Sequence, residues 1–368
     1  MRIFSQILLL CAVVSMSALE HPLFYRFENW LSDFKIEVRD DNHLAHMFSN
    51  WVDNNKYIET VNSANLSYTL GHNQFSGMNQ EEFSAYMGFK QNAEDIQSGA
   101  FLRGSTVPFV EQDMILDLNS LPASIDWRTK NVVNPIKDQA QCGSCWAFSG
   151  TSTVESMVAI KTGVLYDLSE QEGVSCTTFK NGYTNMGCNG GNYNVLWNYV
   201  RDNGGLCTQK DYPYTSGTGN TGTCLKTCKP VAAAKVSSYV KVTPYSDEAL
   251  MTALTVGPVS IAIEADTRSF QLYNSGVYTD YEGCGGSSSK LDHAVVLVGY
   301  GESEKGWYYI MRNSWGTSWG DQTDGAINKG YMLMGRGPEY GKAGLCGLLS
   351  TPMYPVLGTY GSREAPLP

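Results

Sequence analysis

Residues 139–150 read QAQCGSCWAFSG and hold two cysteines, Cys142 and Cys145, in a C-x-x-C spacing. Apolar residues recur at helical spacing through residues 144–161, and Gly163 is a suitable residue to end the helix. Cys145 is therefore predicted to lie in the first turn of an α-helix. The partial positive charge at a helix N-terminus favours the thiolate, which is the nucleophilic form of cysteine.

The same C-x-x-C spacing also occurs in redox domains that exchange disulfides. In those domains the motif follows a strand in a small βαβ unit. Here the preceding residues 126–141 (DWRTKNVVNPIKDQAQ) are loop-like, and seven further cysteines that look paired lie in the same part of the chain. We therefore favour Cys145 as a nucleophile and Cys142 as one half of a structural disulfide.

The first residues of the chain, MRIFSQILLLCAVVSMSALEHPL, predict a secretory signal peptide over residues 1–17. Arg2 is the basic start, residues 7–14 are the apolar core, and Ser15 and Ser17 are small residues before the cleavage site. The apolar stretch is too short to span a membrane, and an uncleaved signal anchor is the alternative interpretation. Entry into the secretory pathway predicts disulfides and delivery to a lysosome, a vacuole or the extracellular space.

Composition divides the rest of the 368-residue chain in two. Residues 1–120 hold 7 Lys/Arg and 15 Asp/Glu, whereas residues 121–368 hold 19 and 21. The total net charge is −10 and no long basic run occurs, which argues against binding to nucleic acid or to an anionic membrane. With only five histidines, a site of several histidines around a metal is not expected, and the sequence predicts no metal and no cofactor.

The first region is predicted to be helical. Residues 23–34 and 44–58 place apolar side chains at helical spacing, as in amphipathic helices. Residues 79–88 begin with a candidate N-cap, Asn79, and end at a glycine, which predicts a short helix. Residues 91–118 show no periodicity and are interpreted as a linker without regular structure.

The second region begins with the helix after residue 144 and becomes rich in predicted strands. Residues 259–265, 293–301 and 307–315 are rich in Val, Ile and Tyr and are separated by glycines. This order predicts an α+β fold of two packed halves, with a cleft between them as the site of ligand binding.

A cysteine nucleophile needs a partner that protonates the leaving group, and histidine is the usual one. Only His293 of the five histidines lies in the second region. Asn313 follows in RNSWG, and an asparagine can fix the tautomer of an imidazole without adding charge. The alternatives are a structural histidine in the core and an asparagine in a turn.

These residues resemble the papain family of cysteine proteases, in the full-length precursor form and with a cathepsin L-like pattern. The sequence C-G-[SA]-C-[WY], with His and Asn far downstream, is a signature of that family. This chain has CGSCW at 142–146. The resemblance covers most of residues 20–356 and includes GCNGG at 187–191, DYPY at 211–214 and GLCG at 344–347.

The resemblance implies a papain-like fold of two subdomains, one helical and one β-barrel-like, and a role for each site residue. Cys145 attacks the scissile carbonyl, His293 protonates the leaving amine, and Asn313 orients His293. Gln139 and the backbone N–H of Cys145 donate hydrogen bonds to the oxyanion, and one such donor is worth roughly 3–4 kcal/mol. Trp315 shields the His–Asn hydrogen bond from water, although a core aromatic is the simplest interpretation of this tryptophan.

The resemblance also implies a substrate cleft. Gly190 and Gly191 form a rim where a peptide backbone can approach closely. A neighbouring uncharged pocket, which receives the second residue before the cleaved bond, predicts a preference for Leu, Phe or Val. The predicted lining, for which plain core packing is the alternative, is Tyr193, Ala262, Leu291, Ala294 and Thr351. Asp292 is interpreted as an exposed charge that mildly modulates the pH profile.

Nine cysteines remain after the predicted signal peptide, so four disulfides and one free thiol are expected. The resemblance implies Cys142–Cys188, Cys284–Cys346 and a partner for Cys176 after DYPY. Cys224 is that partner by distance, which leaves Cys207 to pair with Cys228. An exchange among the cysteines at 207, 224 and 228 stays open, because sequence alone does not determine connectivity.

Residues 18–120 resemble the inhibitory propeptide of the family, and residues 121–368 resemble its peptidase domain. The mature enzyme is expected to begin near Leu121. His43 and Met47 replace residues that usually form an ion pair, and Gly77 replaces a usual aspartate. The net charge of −8 over residues 1–120 suggests release at acidic pH, with a merely solvated acidic surface as the alternative.

The main functional hypothesis is an endopeptidase stored as a zymogen, and the second is a non-catalytic binding protein of the same family. The expected partners are protein and peptide substrates, the chain's own propeptide and protein inhibitors of the cystatin type. The chain is expected to be a monomer. Asn65 is the N-glycosylation acceptor of the chain, and residues 320–334 are interpreted as a surface loop insertion.

Overall fold

The structure, a computed structural model, describes residues 21–90, 109–112, 115–285, 290–323 and 327–358. The predicted signal peptide lies outside these residues. The α-helices of the described residues are α1 (Phe24–Asp33), α2 (Asp41–Ser63), α3 (Gln80–Ser84), α4 (Cys145–Thr162), α5 (Glu170–Cys176), α6 (Tyr193–Asn203), α7 (Asp247–Val256) and α8 (Arg268–Gln271). The strands are β1 (Tyr68–Leu70), β2 (Phe109–Glu111), β3 (Ile125–Asp126), β4 (Val236–Lys241), β5 (Val259–Ile263), β6 (Tyr273–Tyr278), β7 (His293–Ser303), β8 (Gly306–Arg312), β9 (Tyr331–Gly335) and β10 (Met353–Leu357).

The strands form one sheet in the order β1-β6-β9-β8-β7-β5-β10-β4-β2, and β3 pairs with β7 beside this path. Neighbouring strands are antiparallel except for β6 with β9 and β2 with β4, which are parallel. Both outermost strands, β1 and β2, come from the first 120 residues. They pair with backbone groups that would otherwise be open at the two edges of the sheet.

The α+β fold class predicted from the sequence is confirmed, with two apolar clusters in two halves. One cluster lies around α4, α5 and α6, and the other lies between α7 and the strands β5 to β9. Of the 18 residues of α4, 14 are buried, so this helix lies in the interior rather than on the surface. Its first residue, Cys145, is fully buried.

The N-terminal helices α1 and α2 pack through aromatic rings. Phe27 has ring centroids of Trp30, Phe48 and Trp51 within 5.1 to 6.0 Å. The Nε1 atom of Trp30 donates to the carbonyl of Asn73 at 2.8 Å, which ties this aromatic cluster to the segment after β1. Asn65, the predicted glycosylation acceptor, lies exposed just after α2.

Three predictions of local structure were wrong in part. The helix expected over residues 79–88 has the predicted Asn79 cap but ends at Ser84, because the backbone beyond it binds to the cleft. The expected linker over residues 91–118 contains β2, which pairs with β4 through backbone atoms that composition does not reveal. The expected loop over residues 320–334 ends in β9, since residues 331–334 pair with β8.

Four disulfides cross-link the described residues, and they include the Cys207–Cys228 pair that was expected only because the other cysteines were assigned. They are Cys142–Cys188, Cys176–Cys224, Cys207–Cys228 and Cys284–Cys346. Cys145 is the free cysteine of the described part of the chain. Among the residues described, no helix has the length and apolar character needed to cross a membrane.

The disulfides are predicted to contribute unequally to stability. Cys207 and Cys228 are 21 residues apart and Cys284 and Cys346 are 62 apart. Loop-closure entropy then gives about 3 kcal/mol for the first pair and about 4 kcal/mol for the second. Replacing both cysteines of a pair by alanine should lower the free energy of urea unfolding by these amounts. The reverse ranking of the two double variants would contradict the prediction.

Candidate active site

Cys145 lies at the N-terminus of α4, where Ser144 is the N-cap residue. The backbone N–H of Ala294 donates to its Sγ atom at 3.4 Å, and the amide of Gly88 makes a second hydrogen bond to the sulfur. Burial raises the pKa of the Cys145 thiol to about 12. Because a thiol is a poor nucleophile, the sulfur is held in its unreactive form here.

His293 begins β7, and Asn313 follows the end of the antiparallel neighbour β8. The Nε2 atom of His293 lies 2.8 Å from Oδ1 of Asn313. The same Oδ1 accepts the N–H of Ser314 at 2.8 Å, which assigns this atom as the amide oxygen. Nε2 of the histidine is therefore assigned the proton, and Nδ1 keeps its lone pair.

The imidazole of His293 is fully enclosed. The indole of Trp315 stacks on it with ring centroids 4.6 Å apart, and both side chains are buried. Burial lowers the pKa of His293 to about 4, and the hydrogen bond to Asn313 opposes this only in part. The histidine is therefore neutral, as is the Cys145 thiol, so neither group is charged in this state.

The side-chain amide of Gln139 makes three hydrogen bonds. Its Oε1 atom accepts the hydroxyl of Ser314 at 2.7 Å. Its Nε2 atom donates to the carbonyl of Tyr86 at 3.1 Å and to that of Cys142 at 3.0 Å. A carbonyl oxygen of the N-terminal region therefore lies in front of the amide that is expected to bind an oxyanion.

The segment around residues 86–90 runs through the cleft and binds its rim through backbone hydrogen bonds. The N–H of Gly191 donates to the carbonyl of Gly88 at 2.9 Å, and the N–H of Lys90 donates back to the carbonyl of Gly191 at 3.0 Å. This pairing is parallel. Near the sulfur, Gly88 presents an N–H donor rather than a carbonyl carbon, so the segment is not placed for attack.

Gly88 is the point of closest backbone approach. A Cβ atom at this position would lie 1.9 Å from the carbonyl oxygen of Gly143. On the rim, a Cβ atom at Gly190 would lie 2.7 Å from the carbonyl oxygen of Gly88, and the φ of Gly190 is +113°. Glycine is therefore required on both sides of this contact.

Phe89 lies buried among residues that were expected to line a pocket beside the rim. Its side chain is 2% exposed, and its ring lies 5.7 Å from that of Tyr193. The hydroxyl of Tyr193 donates to the carbonyl of Thr351 at 2.5 Å, which places Thr351 behind the tyrosine. Phe89 belongs to one apolar cluster with four of the five predicted lining residues, Tyr193, Ala262, Leu291 and Ala294.

The interpretation of Asp292 as an exposed charge was wrong. Its side chain is half-buried, and Oδ1 accepts the N–H of Ala265 at 2.9 Å. Burial raises the pKa of its carboxyl. Its backbone carbonyl accepts the N–H of Phe89 at 2.7 Å, so Asp292 also anchors the segment in the cleft.

The N-terminal region also covers Trp315 from its other side. Rings of Phe75 and Phe83 make T-shaped contacts with its indole at 5.3 and 5.4 Å. The Nε2 atom of Gln74 donates to the carbonyl of Trp315 at 2.6 Å. The group that stacks on His293 is therefore itself buried by the N-terminal region.

Sequence reasoning missed Phe89, the function of Gly88 and the contact of Ser314 with Gln139. Ser314 lies within the NSWG motif, between two residues that the sequence did indicate, so this motif is the signal that could have pointed to it. Gly88 was interpreted as the end of a helix, which is the usual meaning of a glycine at that place. Phe89 carries no local signal, because its function depends on where the chain passes.

Comparison with known proteins identifies the family. A profile of papain family cysteine proteases matches residues 121–356, and a profile of the cathepsin propeptide inhibitor domain (I29) matches residues 27–83. Fruit bromelain of Ananas comosus is 36% identical over 346 residues, covering 93% of this chain and 89% of that protein. Digestive cysteine proteinase 1 of Homarus americanus is 37% identical over 347 residues, covering 92% and 96%.

Solved precursors have the same architecture. A recombinant stem bromelain precursor matches with a TM-score of 0.76 at 33% identity, covering 92% of this chain and 100% of that one. Digestive procathepsin L 3 of Tenebrio molitor matches with a TM-score of 0.74 at 29% identity and the same coverage. The chain belongs to the papain family of cysteine proteases. It is a cathepsin L-like cysteine endopeptidase in precursor form, with a propeptide that inhibits it intramolecularly.

Replacing Gly88 by alanine should loosen the propeptide in the cleft, because the added Cβ would overlap the carbonyl of Gly143. At neutral pH, the intact Gly88→Ala precursor should hydrolyse a small peptide substrate and react with a thiol alkylating reagent, whereas the wild type should do neither. Lys90→Ala is the matched control, since this exposed neighbour binds the rim through its backbone. Equal latency of the Gly88→Ala and wild-type precursors would contradict the prediction.

Proposed function

We propose that the mature enzyme begins near Leu121 and cleaves peptide bonds with Cys145 as nucleophile, His293 as acid–base partner and Asn313 as the residue that orients the imidazole. The observation that carries this proposal is the hydrogen bond from His293 to Asn313 under Trp315, together with the bond from the next residue, Ala294, to the free thiol of Cys145. We also propose that the enzyme is a monomer and that protein inhibitors of the cystatin type bind it.

Removal of the propeptide changes the electrostatics of the pair. Burial is the largest cause of the raised pKa of Cys145 and of the lowered pKa of His293. Exposure to water lowers the pKa of Cys145 and raises the pKa of His293. A thiolate and an imidazolium then become the stable pair. The helix N-terminus at Cys145 favours the thiolate further.

The chemical steps then follow from the positions of the groups. The thiolate attacks the scissile carbonyl, and the oxyanion takes hydrogen bonds from Nε2 of Gln139 and from the backbone N–H of Cys145. His293 gives its proton to the leaving amine, and a water molecule hydrolyses the thioester with the histidine as base. The Asn313 amide keeps the proton of the neutral histidine on Nε2, so Nδ1 is the atom that exchanges the proton.

The apolar pocket supports a preference for an aromatic or aliphatic side chain two residues before the cleaved bond. This preference is supported by Phe89, whose ring contacts Tyr193 and which belongs to the same apolar cluster as Ala262 and Leu291. The four disulfides support passage through the secretory pathway, to a lysosome, a vacuole or the extracellular space.

The test of this function uses the secreted precursor, acidified under mildly reducing conditions. We expect a fragment that starts near Leu121 and hydrolysis of a peptide with Phe before the cleavable Arg bond. Cys145→Ser should be folded and should show neither. If the folded wild type without its propeptide hydrolyses no peptide, the chain is the non-catalytic binding protein and the enzymatic proposal fails.

His72 supports release of the propeptide by acid. Its ring stacks on Trp51 at 4.1 Å, and Nε2 lies 3.1 Å from Oδ1 of Asn55. Its neighbours in the chain, Gly71 and Asn73, bind backbone carbonyls of the peptidase domain. Burial, with a smaller contribution from the Arg26 charge, lowers the pKa of His72 to about 4.

The sign of the effect follows from linkage. Above an ordinary histidine pKa of 6.5, both the folded and the unfolded propeptide are neutral at His72, and the full stability is present. Between pH 6.5 and about 4 the unfolded propeptide takes up a proton that the folded, docked propeptide does not. The folded, docked state is then weakened by up to about 1.4 kcal/mol for each pH unit.

His72→Phe should keep the stack on Trp51 and remove the titration. The variant precursor should therefore need a lower pH than the wild type for half-maximal processing in a fixed time. His43→Phe is the control, because His43 is a partly buried histidine of the same propeptide whose pKa is also lowered by burial, and its backbone and ring bind Asp40 and Arg39 of the propeptide itself. A processing profile of His72→Phe that matches the wild type would show that His72 does not contribute to acid release.

A further inference from the structure

The hydroxyl of Tyr214 joins two parts of the candidate oxyanion site. Its Oη atom donates to the backbone carbonyl of Gln139 at 2.8 Å. Oη also lies 2.8 Å from the hydroxyl oxygen of Ser144. A phenol has one proton, which goes to the carbonyl, so Ser144 donates to Tyr214. Burial raises the pKa of the Tyr214 phenol, which keeps that proton in place.

The hydroxyl of Ser144 makes this contact instead of capping its own helix. It is the N-cap of α4 and is fully buried, yet its side chain makes no capping hydrogen bond. A serine at this position usually accepts an N–H of the first turn, worth about 1 kcal/mol. Here the hydroxyl faces Tyr214, which ties the residue before Cys145 to the turn that carries Gln139.

That turn contains a strained residue. Ala140 has φ +49°, a left-handed conformation that costs a residue other than glycine on the order of 1–2 kcal/mol. The turn is held by its neighbours: Asp138 Oδ1 accepts the N–H of Ala140 at 2.8 Å, and the N–H of Gln141 donates to Gly217 at 3.0 Å. The bond from Tyr214 holds the carbonyl of Gln139, directly before the strained residue.

We propose that Tyr214 is a positioning residue for oxyanion stabilisation. Through one hydroxyl it fixes the turn of Gln139 relative to Ser144, and so sets the spacing between the Gln139 amide and the N–H of Cys145. Packing of its ring on Phe148, with centroids 5.1 Å apart, orients the hydroxyl. This inference rests on the oxyanion-binding roles in the proposed function, and it extends them to a residue in the DYPY motif.

The test compares Tyr214→Phe with wild type in the processed enzyme. We expect kcat for a peptide amide to fall roughly ten-fold, with KM within about two-fold, because the donors are displaced rather than deleted. Deletion of a donor in Gln139→Ala sets the upper limit, about 10²–10³ in kcat. The rate at which iodoacetamide alkylates Cys145, measured against pH, should stay unchanged, since displacement of iodide forms no oxyanion.

Tyr212→Phe is the matched control. Tyr212 lies in the same motif, and its buried hydroxyl donates to the carbonyl of Thr223 and accepts the N–H of Leu225. It therefore reports loss of a phenol from this loop without contact to the oxyanion site, and its kcat should stay near the wild-type value. Ser144→Ala, which keeps the bond from Tyr214 to Gln139, should lower kcat less than Tyr214→Phe and also leave alkylation unchanged.

Three results would overturn the inference: wild-type kcat in Tyr214→Phe, an equal fall in Tyr212→Phe, or a parallel loss of alkylation that indicates a general structural effect. Should Tyr214→Phe not fold, Ser144→Ala decides alone, and an unchanged kcat in that variant counts against the inference. The wild type separates the two proposals. If it hydrolyses no peptide, the proposed function itself fails, whereas an active wild type with an unaffected Tyr214→Phe removes only the role of Tyr214.

Discussion

The contact between two backbones, at Gly88 of the propeptide and Gly143 of the peptidase domain, is the constraint on which the inactive state depends. Neither residue has a side chain, so the propeptide can lie against the loop before Cys145. From this contact follow the buried thiol, the carbonyl of Tyr86 in front of Gln139, and Phe89 in the apolar pocket. The protonation states of Cys145 and His293 are consequences of the same covering, because burial is the main cause of both pKa shifts.

The site is assembled from residues that are distant in sequence and lie on or next to regular helices and strands. Cys145 is fixed by an interior helix, His293 by a strand in the middle of the sheet, and Asn313 by the end of the next strand. The groups that keep these parts in register are mostly hydroxyls: Ser314 holds the Gln139 amide, and Tyr214 holds its backbone. Such bonds stabilise a geometry more than they stabilise the fold.

Much of this was predictable from the sequence. The CGSCW motif, His293 and Asn313 indicated the chemistry, and the α+β fold followed from the order of helical and strand-like patterns. Three features were not predictable for physical reasons. The strand β2 forms through backbone pairing with an edge, the end of α3 is set by binding in the cleft, and the burial of Asp292 depends on Phe89 and Ala265. Each depends on a contact between segments that no local pattern encodes.

All four disulfides of the described residues lie between Cys142 and Cys346, and the propeptide has none. The two parts of the precursor therefore differ in how they respond to their own product. Once displaced, the propeptide is an uncrosslinked chain that can unfold and enter any neighbouring cleft as a substrate. The peptidase domain stays cross-linked under the same conditions. In the proposed maturation, cleavage of the displaced propeptide would make activation irreversible, while the disulfides keep the peptidase domain cross-linked.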